Sequence, residues 1–256
     1  MALIEFVAAA KSFNLKGVLV PAIGPVSFAV EAGEFVALVG PSGCGKSTLL
    51  NLVAGVLPPS SGRVRYAGDA VTGINHRTGY MTQQDYLLPW RRALDNIALP
   101  LEICGMPPAE RRERAGELVA LVGLAGFEEH YPNQLSGGMR KRCALARLLA
   151  YDPETLLLDE PFGALDAQLR VTLQRELKSI CLRLAKTVLF VTHDLDEAIA
   201  LSDRCLVFTG RPGLLSREVA VDLPRDRDPL QARFDARAIE LSRTLWHALE
   251  PALAKV

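Results

Sequence analysis

The feature that most constrains this chain is an eight-residue loop, Gly40-Pro41-Ser42-Gly43-Cys44-Gly45-Lys46-Ser47, set between an apolar run and a helical pattern. It matches G-x-x-x-x-G-K-[ST], in which glycines let successive backbone N–H groups curl around phosphate oxygens. The run before it, Glu34–Val39, is continuous and apolar, as expected of a short strand covered on both faces. After it, Lys46–Val56 carries Leu49, Leu50, Leu52, Val53 and Val56 on one helical face and stops before Pro58-Pro59. A helix starting at Lys46 turns the positive end of its dipole toward whatever the loop holds. Strand, loop and helix together predict a nucleoside triphosphate site. Gly40, Pro41, Ser42, Gly43, Cys44 and Gly45 would cradle the phosphates, Lys46 would reach the β- and γ-phosphates, Ser47 would ligate Mg²⁺, and Thr48 follows in the first turn.

The rest of the chain alternates in the same way. Thr155–Leu158 and Thr187–Val191 are apolar runs of strand length, followed by helical patterns over Ala167–Ala185 and Leu195–Leu201. That alternation predicts a mostly parallel sheet with crossover helices. Two regions depart from it. Before residue 80, stretches such as Val26–Val30 and Arg63–Tyr66, with turns at Ala32-Gly33 and Ala67-Gly68-Asp69, predict antiparallel strands. Between about 87 and 150 the pattern is helical only, which predicts an insertion into the α/β core. From Pro229 to Val256 one more helical segment is expected, interrupted near its end by Pro251.

Composition excludes several classes. With 256 residues, 49% of them hydrophobic, the chain can bury a large core and is not a disordered segment. No stretch approaches the ~20 apolar residues of a membrane span. Lys+Arg and Asp+Glu both number 29, so no net field attracts nucleic acid. Five cysteines without Cys-x-x-Cys spacing argue against disulfide and zinc frameworks. The first residues lack the pattern of an export signal, so an intracellular chain is expected.

Two further motifs carry chemistry. Asp159 and Glu160 end the run Thr155–Leu158, where ligands of open α/β sheets lie. Asp159 is suited to hold Mg²⁺ through water and Glu160 to orient and deprotonate an attacking water. Ser136, Gly137 and Gly138 precede a helix whose first turn carries Arg140, Lys141 and Arg142. Such a helix tip is a second anion site, and cations beside it need an anion or an acidic neighbour to offset the dipole.

The ordered set (phosphate loop, Leu135-Ser136-Gly137-Gly138, Asp159-Glu160, Leu165-Asp166, His193) resembles the nucleotide-binding subunit of an ATP-binding cassette (ABC) transporter, over residues 3 to 220. The resemblance implies a P-loop NTPase core with a mostly parallel sheet, an N-terminal antiparallel β subdomain and a helical insertion carrying the signature motif. It implies an ABC ATPase domain over 1–225, its insertion at about 87–150, and a C-terminal helical tail over 226–256. It places Phe13 against adenine, Gln83 (or, one register off, Gln84) on Mg²⁺ and the attacking water, Asp166 in the loop that crosses to the partner subunit, and His193 on the γ-phosphate. Met139 departs from the family, where many members have Gln. ATP and Mg²⁺ are the implied cofactors, and a homodimer of ATPase subunits would enclose each ATP between the phosphate loop of one and Ser136–Gly138 of the other.

Leu87-Leu88-Pro89-Trp90, Thr192–Ala198 and Arg211-Pro212-Gly213 are similar to the nitrate/sulfonate/taurine importer group. That similarity implies integral membrane permease subunits, received near Gln84–Arg91, and indirectly an extracytoplasmic solute-binding protein. The chain would then sit peripherally on the cytoplasmic face of the membrane, with no nucleic-acid partner. The alternatives are an exporter or lipid-transport ATPase, or a non-transport cassette of DNA repair or translation. The last two expect long coiled coils or a paired cassette with a basic linker, and neither pattern occurs in this sequence.

Overall fold

The computed structural model describes residues 2–163 and 165–253, the last three of these through their backbone alone. In chain order the elements are β1 (Ala2–Leu15), β2 (Val18–Glu31), β3 (Phe35–Val39), α1 (Lys46–Val53), β4 (Ser61–Tyr66), β5 (Asp69–Ala70) and β6 (Thr78–Met81). There follow α2 (Ala93–Ile103), α3 (Pro108–Leu121), a 3₁₀ turn at Pro132–Gln134, α4 (Gly137–Leu149), β7 (Thr155–Asp159), α5 (Ala167–Arg183) and β8 (Thr187–Thr192). The chain closes with α6 (Leu195–Leu201), β9 (Arg204–Thr209), β10 (Leu214–Ala220), α7 (Pro229–Ala232) and α8 (Ala236–Leu253).

Two sheets result. The larger has strand order β10-β9-β3-β8-β7-β6, parallel throughout except for β10. The smaller, β2-β1-β4-β5, is antiparallel. The apolar run of β3 is fully buried because it packs on both faces. Phe35, Ala37 and Val39 join one core with Leu156, Leu158, Val188 and Phe190. Val36 and Leu38 join another with Leu157, Leu189, α1 and the antiparallel sheet. Strand periodicity of two thus splits one continuous apolar sequence between two cores. Each fully buried Leu or Val contributes about 1.5–3 kcal/mol relative to exposure. The C-terminal ends of β3, β7 and β8 lie side by side, in parallel register Val39↔Thr192 and Asp159↔Val191. This brings the phosphate loop, the carboxylate pair and His193 to one edge.

The structure corrects several boundaries. Helix α1 ends at Val53, with Ala54 as its C-cap, rather than running to Val56. The antiparallel strands β1 and β2 are 14 residues each, longer than the alternating stretches alone suggest. Register shifts, with Ala8 at φ 45°, interrupt the alternation that would otherwise mark them. The tail is two helices rather than one. Asp228 accepts from the Leu230 and Gln231 N–H groups, and Asp235 from those of Arg237 and Ala238, so each carboxylate opens its own helix. Helix α8 continues past Pro251 to Leu253. Residues 254–256 lie outside the described residues.

Candidate nucleotide-binding site

The phosphate loop follows β3 and turns into α1 at Gly45, which is left-handed (φ 93°, ψ 13°) and gives the helix no side-chain cap. A Cβ there would fall 2.5 Å from Ile23 Cδ1 and 2.7 Å from the Ala22 carbonyl, so only glycine fits. Lys46 is buried, and its Nζ donates to the carbonyls of Gly40 (2.7 Å) and Pro41 (2.9 Å). The ammonium is thereby held under the loop it would share with phosphate oxygens. Cys44 is buried beneath the same turn, and burial pushes its thiol up, so it packs as a small apolar group rather than as a reactive thiolate.

Two residues that sequence reasoning assigned only to a subgroup resemblance brace this loop. Arg211 donates to the Ser42 carbonyl at 3.0 Å. Gly213 backs onto Cys44 so closely that a Cβ would lie 1.9 Å from the Cys44 carbonyl oxygen. The signal is present in Arg211-Pro212-Gly213, but nothing in the sequence connects a segment after β9 to a loop 169 positions earlier.

Strand β7 delivers the carboxylates. Burial raises the Asp159 carboxyl above its ordinary value and the neighbouring Glu160 adds to this, while a hydrogen bond from Ser47 and the charge of Lys46 oppose it. Glu160 has φ 45°, a sparsely populated conformation for a non-glycine residue, and its N–H donates to Val191 O at 3.0 Å. Gln83 Nε2 donates to Glu160 Oε2 at 3.1 Å, and His193 Nδ1 lies 3.4 Å from Glu160 Oε1. Three predicted residues, just past the ends of β6, β7 and β8, thus meet at one carboxylate. Of the two glutamines, the Gln83 side chain reaches Glu160, whereas Gln84 offers its backbone carbonyl to Thr82 Oγ1 (2.7 Å).

Ser47 and Asp159, with Gln83 held on the neighbouring Glu160, offer oxygens suited to a hard divalent cation. Among the described residues no group of three His, Cys, Asp or Glu could hold a metal unaided. A hydroxyl, an amide and a carboxylate are nonetheless the oxygen donors Mg²⁺ accepts when phosphates and water complete its shell.

The second anion-facing tip begins at Ser136, whose Oγ accepts from Met139 N–H at 3.3 Å to cap α4. Ser136 and Gly137 are exposed. Gly138 is buried, and a Cβ there would meet Leu169 Cδ2 at 2.3 Å. The three cations of the first turn are each engaged by other groups. Arg140 pairs with Asp85 (3.3 Å) and donates to Leu135 O, Lys141 donates to Gln83 O, and Arg142 pairs with Glu176 (3.0 Å). Asp166 caps α5 through Leu169 N–H (3.0 Å). Among the described residues neither Ser136, Gly137 nor Asp166 hydrogen-bonds the phosphate loop. Phe13 lies half-buried on β1, with Lys11 Nζ 5.5 Å from its ring centroid.

Arg170 is a residue the sequence did not single out. It pairs with Asp194 (3.4 Å) and donates to Leu165 O (3.1 Å), tying the segment before Asp166 to the segment after His193. Glu197 anchors the same segment: it is buried and accepts from Gln174 Nε2 (2.8 Å) and Thr192 Oγ1. In the helical insertion, buried Asn96 accepts from Leu88 N–H (2.7 Å) and donates to Arg91 O (2.9 Å). It fixes the loop that leaves Tyr86 and Trp90 exposed while Leu87 is buried.

A glycine-rich loop at the head of a helix, beside paired carboxylates on the next strand but one, defines a nucleoside triphosphatase core. The ABC transporter family model matches residues 23–163, and the chain belongs to that family. It is 48% identical over 224 residues to an uncharacterised ABC transporter ATP-binding protein of Methanocaldococcus jannaschii, covering 88% of this chain and 84% of that one. It is 45% identical over 230 residues to the taurine import ATP-binding protein TauB of Rhizobium johnstonii, covering 88% and 85%. Among solved structures, a dimeric post-hydrolysis ATP-binding cassette bound to ADP and Pi superposes with a TM-score of 0.77 at 32% identity, covering 86% of this chain and all of that one. The chain is therefore an ATP-binding, ATP-hydrolysing ABC subunit with the P-loop NTPase fold. None of the helices among the described residues is long and apolar enough to cross a membrane.

Proposed function

We propose that this chain energises an importer of a small solute of the nitrate, sulfonate or taurine kind, as a homodimer on the cytoplasmic face of permease subunits that a solute-binding protein supplies. The observation that carries the importer reading is the 45% identity to a taurine import ATP-binding protein along most of both chains. In this reading the 1–225 unit is the ATPase and 226–256 its helical tail. The loop Gly40–Gly45 and the first turn of α1, with Thr48, bind the phosphates, and Phe13 stacks on adenine. Lys46 exchanges the Gly40 and Pro41 carbonyls for phosphate oxygens. Ser47, Asp159 and Gln83 would hold Mg²⁺, which when bound would supply positive charge against the phosphates. Glu160, already in contact with Gln83 and His193, receives the proton of the attacking water, and His193 contacts the γ-phosphate.

Ser136 and Gly137 at the tip of α4 face solvent and, among the described residues, make no bond to their own phosphate loop, which supports a role across a dimer interface. Asp166, capping the helix that packs on Gly138, would lie at the same crossing. ATP that contacts both protomers favours the closed pair by its differential affinity, and loss of the terminal phosphate releases it. The exposed Tyr86 and Trp90 would meet the permease. The test is purification from native membranes in mild detergent with whatever integral membrane protein binds it, followed by reconstitution into liposomes. ATP-dependent uptake of nitrate, a sulfonate or taurine is expected. Efflux of a lipid or drug instead, or no membrane partner at all, would refute it.

A further inference from the structure

We infer that the cleft between α6 and the two C-terminal helices is a binding site for a small oxyanion. The cleft is a cavity of about 230 Å³, lined by Arg233, Arg243, Asp196 and Ser242 on polar walls, with Ile199 and Ala238 on apolar ones. Its arginines differ from their neighbours in the same tail. Arg225 pairs with Asp203, Arg237 with Asp222, and Arg227 is held by the carbonyls of Ile199 and Ser202. Arg233 and Arg243 have no ion-pair partner among the described residues, and Arg233 Nε is buried without a hydrogen-bond partner. That Nε is closed off from solvent, so a ligand in the cleft would be met by the terminal N–H groups of Arg233 and by Arg243, both of which the protein leaves without a carboxylate among the described residues. The lone carboxylate of the cleft, Asp196, already accepts from Ser242 Oγ at 3.3 Å. The lining therefore carries one surplus positive charge, with two planar forks whose geometry matches the oxygens of a phosphate, sulfonate or carboxylate. A water takes about 30 Å³ of liquid volume, so the cavity suits such an anion with a few waters. It is smaller than the roughly 300–1,000 Å³ of sites for larger ligands, which excludes a nucleotide.

The position gives the site a route to catalysis. Asp196 lies in the first turn of α6, two residues after Asp194, which caps that helix through Glu197 N–H (3.0 Å), and three after His193. Asp194 is in turn held by Arg170. An anion that draws Arg233 and Arg243 together across α6 shifts the base on which His193 stands. This second step rests on the catalytic reading of His193, whereas the binding site does not.

The binding experiment is isothermal calorimetry on the full chain with its phosphate loop saturated by ADP, titrated separately with inorganic phosphate and methanesulfonate. One anion per chain is expected at millimolar concentration or below, weakened about tenfold or more in both Arg233→Gln and Arg243→Gln. Arg217→Gln, on the exposed edge strand β10, should leave it unchanged. Arg243 is exposed on α8, so its variant should fold even if the Arg233 variant does not. Phosphate binding more tightly would point to a cellular phosphate source, and methanesulfonate binding more tightly to an internalised sulfonate; either supports the site. Absence of binding by both anions, or binding that survives both substitutions, overturns it. A steady-state ATPase assay with and without the anion reads the coupling. If anion binding is present and activity is unchanged, the route through His193 fails while the site stands.

Discussion

The two glycine-led helix tips in this chain, those of α1 and α4, are built on opposite plans. The tip of α1 is finished within one molecule: Gly45 is fixed by contact with Ile23, Lys46 is buried under the loop, and Arg211 and Gly213 brace it from behind. The tip of α4 carries only a 3.3 Å serine cap, and Ser136 and Gly137 stand in solvent. Its nearby cations are diverted to Asp85, the Gln83 carbonyl and Glu176. A tip whose own charges are neutralised sideways leaves its N–H groups free for an anion from outside. In the proposed reading the first tip is a complete binding site, and the second is half of one.

Predictions can break this contrast, and the largest effect belongs to the first site. Glu160→Gln removes the proton acceptor while keeping the shape that Gln83 and His193 touch. A fall of about 10²–10⁴-fold in kcat is expected. ATP should still bind, and a nucleotide-trapped dimer should appear on size exclusion. A variant that hydrolyses at the wild-type rate removes Glu160 from the mechanism. Lys46→Ala deletes charge-assisted bonds of about 1.5–3 kcal/mol, so calorimetry should find ATP bound about 10- to 150-fold more weakly. Ser136→Arg separates the two plans: ATP affinity of the monomer should stay within about twofold, while hydrolysis falls about tenfold or more because the partner's half-site is blocked. If Ser136→Arg weakens monomer binding as much as Lys46→Ala does, the two tips serve one site in one chain.

Legibility in the sequence followed the same divide. The first site was readable because its parts are local: a strand pattern, a glycine loop and a helix pattern in direct succession fix both fold and ligand. The ends of β7 and β8 were readable because apolar runs stop abruptly at Asp159-Glu160 and at His193. What the sequence withheld is non-local. The bracing by Arg211 and Gly213, the Arg170 bridge between Leu165 and Asp194, and the sideways pairing of Arg140 and Arg142 all join residues far apart in the chain. The need for an acidic neighbour beside the α4 tip was foreseeable from the dipole, but its identity as Asp85 and Glu176 was not. The long hairpin of β1 and β2 was underestimated because bulges break the alternation on which strand recognition depends. The tail was read as one helix because its helical pattern continues through Asp235, and a capping carboxylate is visible as a break only once its N–H partners are known.

The smaller predictions probe how the second tip is held. In Gly138→Ala the new Cβ meets Leu169 Cδ2 at 2.3 Å, so overpacking of about 1–3 kcal/mol competes with about 1 kcal/mol of gained helix propensity. Chemical denaturation should show a net loss of up to about 2 kcal/mol, and hydrolysis should fall with it because Leu169 supports the helix that Asp166 caps. Increased stability would show that Leu169 can move aside and that the packing of α4 on α5 is looser than the geometry indicates. Asp85→Asn should have the smallest effect. The Arg140–Asp85 pair is partly exposed, so its loss costs about 0.2–1 kcal/mol in denaturation. Arg140 already stands beside the tip, its Nη2 3.9 Å from where a Gly137 Cβ would stand, and loss of Asp85 leaves its charge unpaired there. There it would oppose the helix dipole yet attract an incoming phosphate. The sign of the change in dimer formation with ATP therefore discriminates: tighter association means that the tip meets the partner's nucleotide, and unchanged association means that Asp85 serves stability alone.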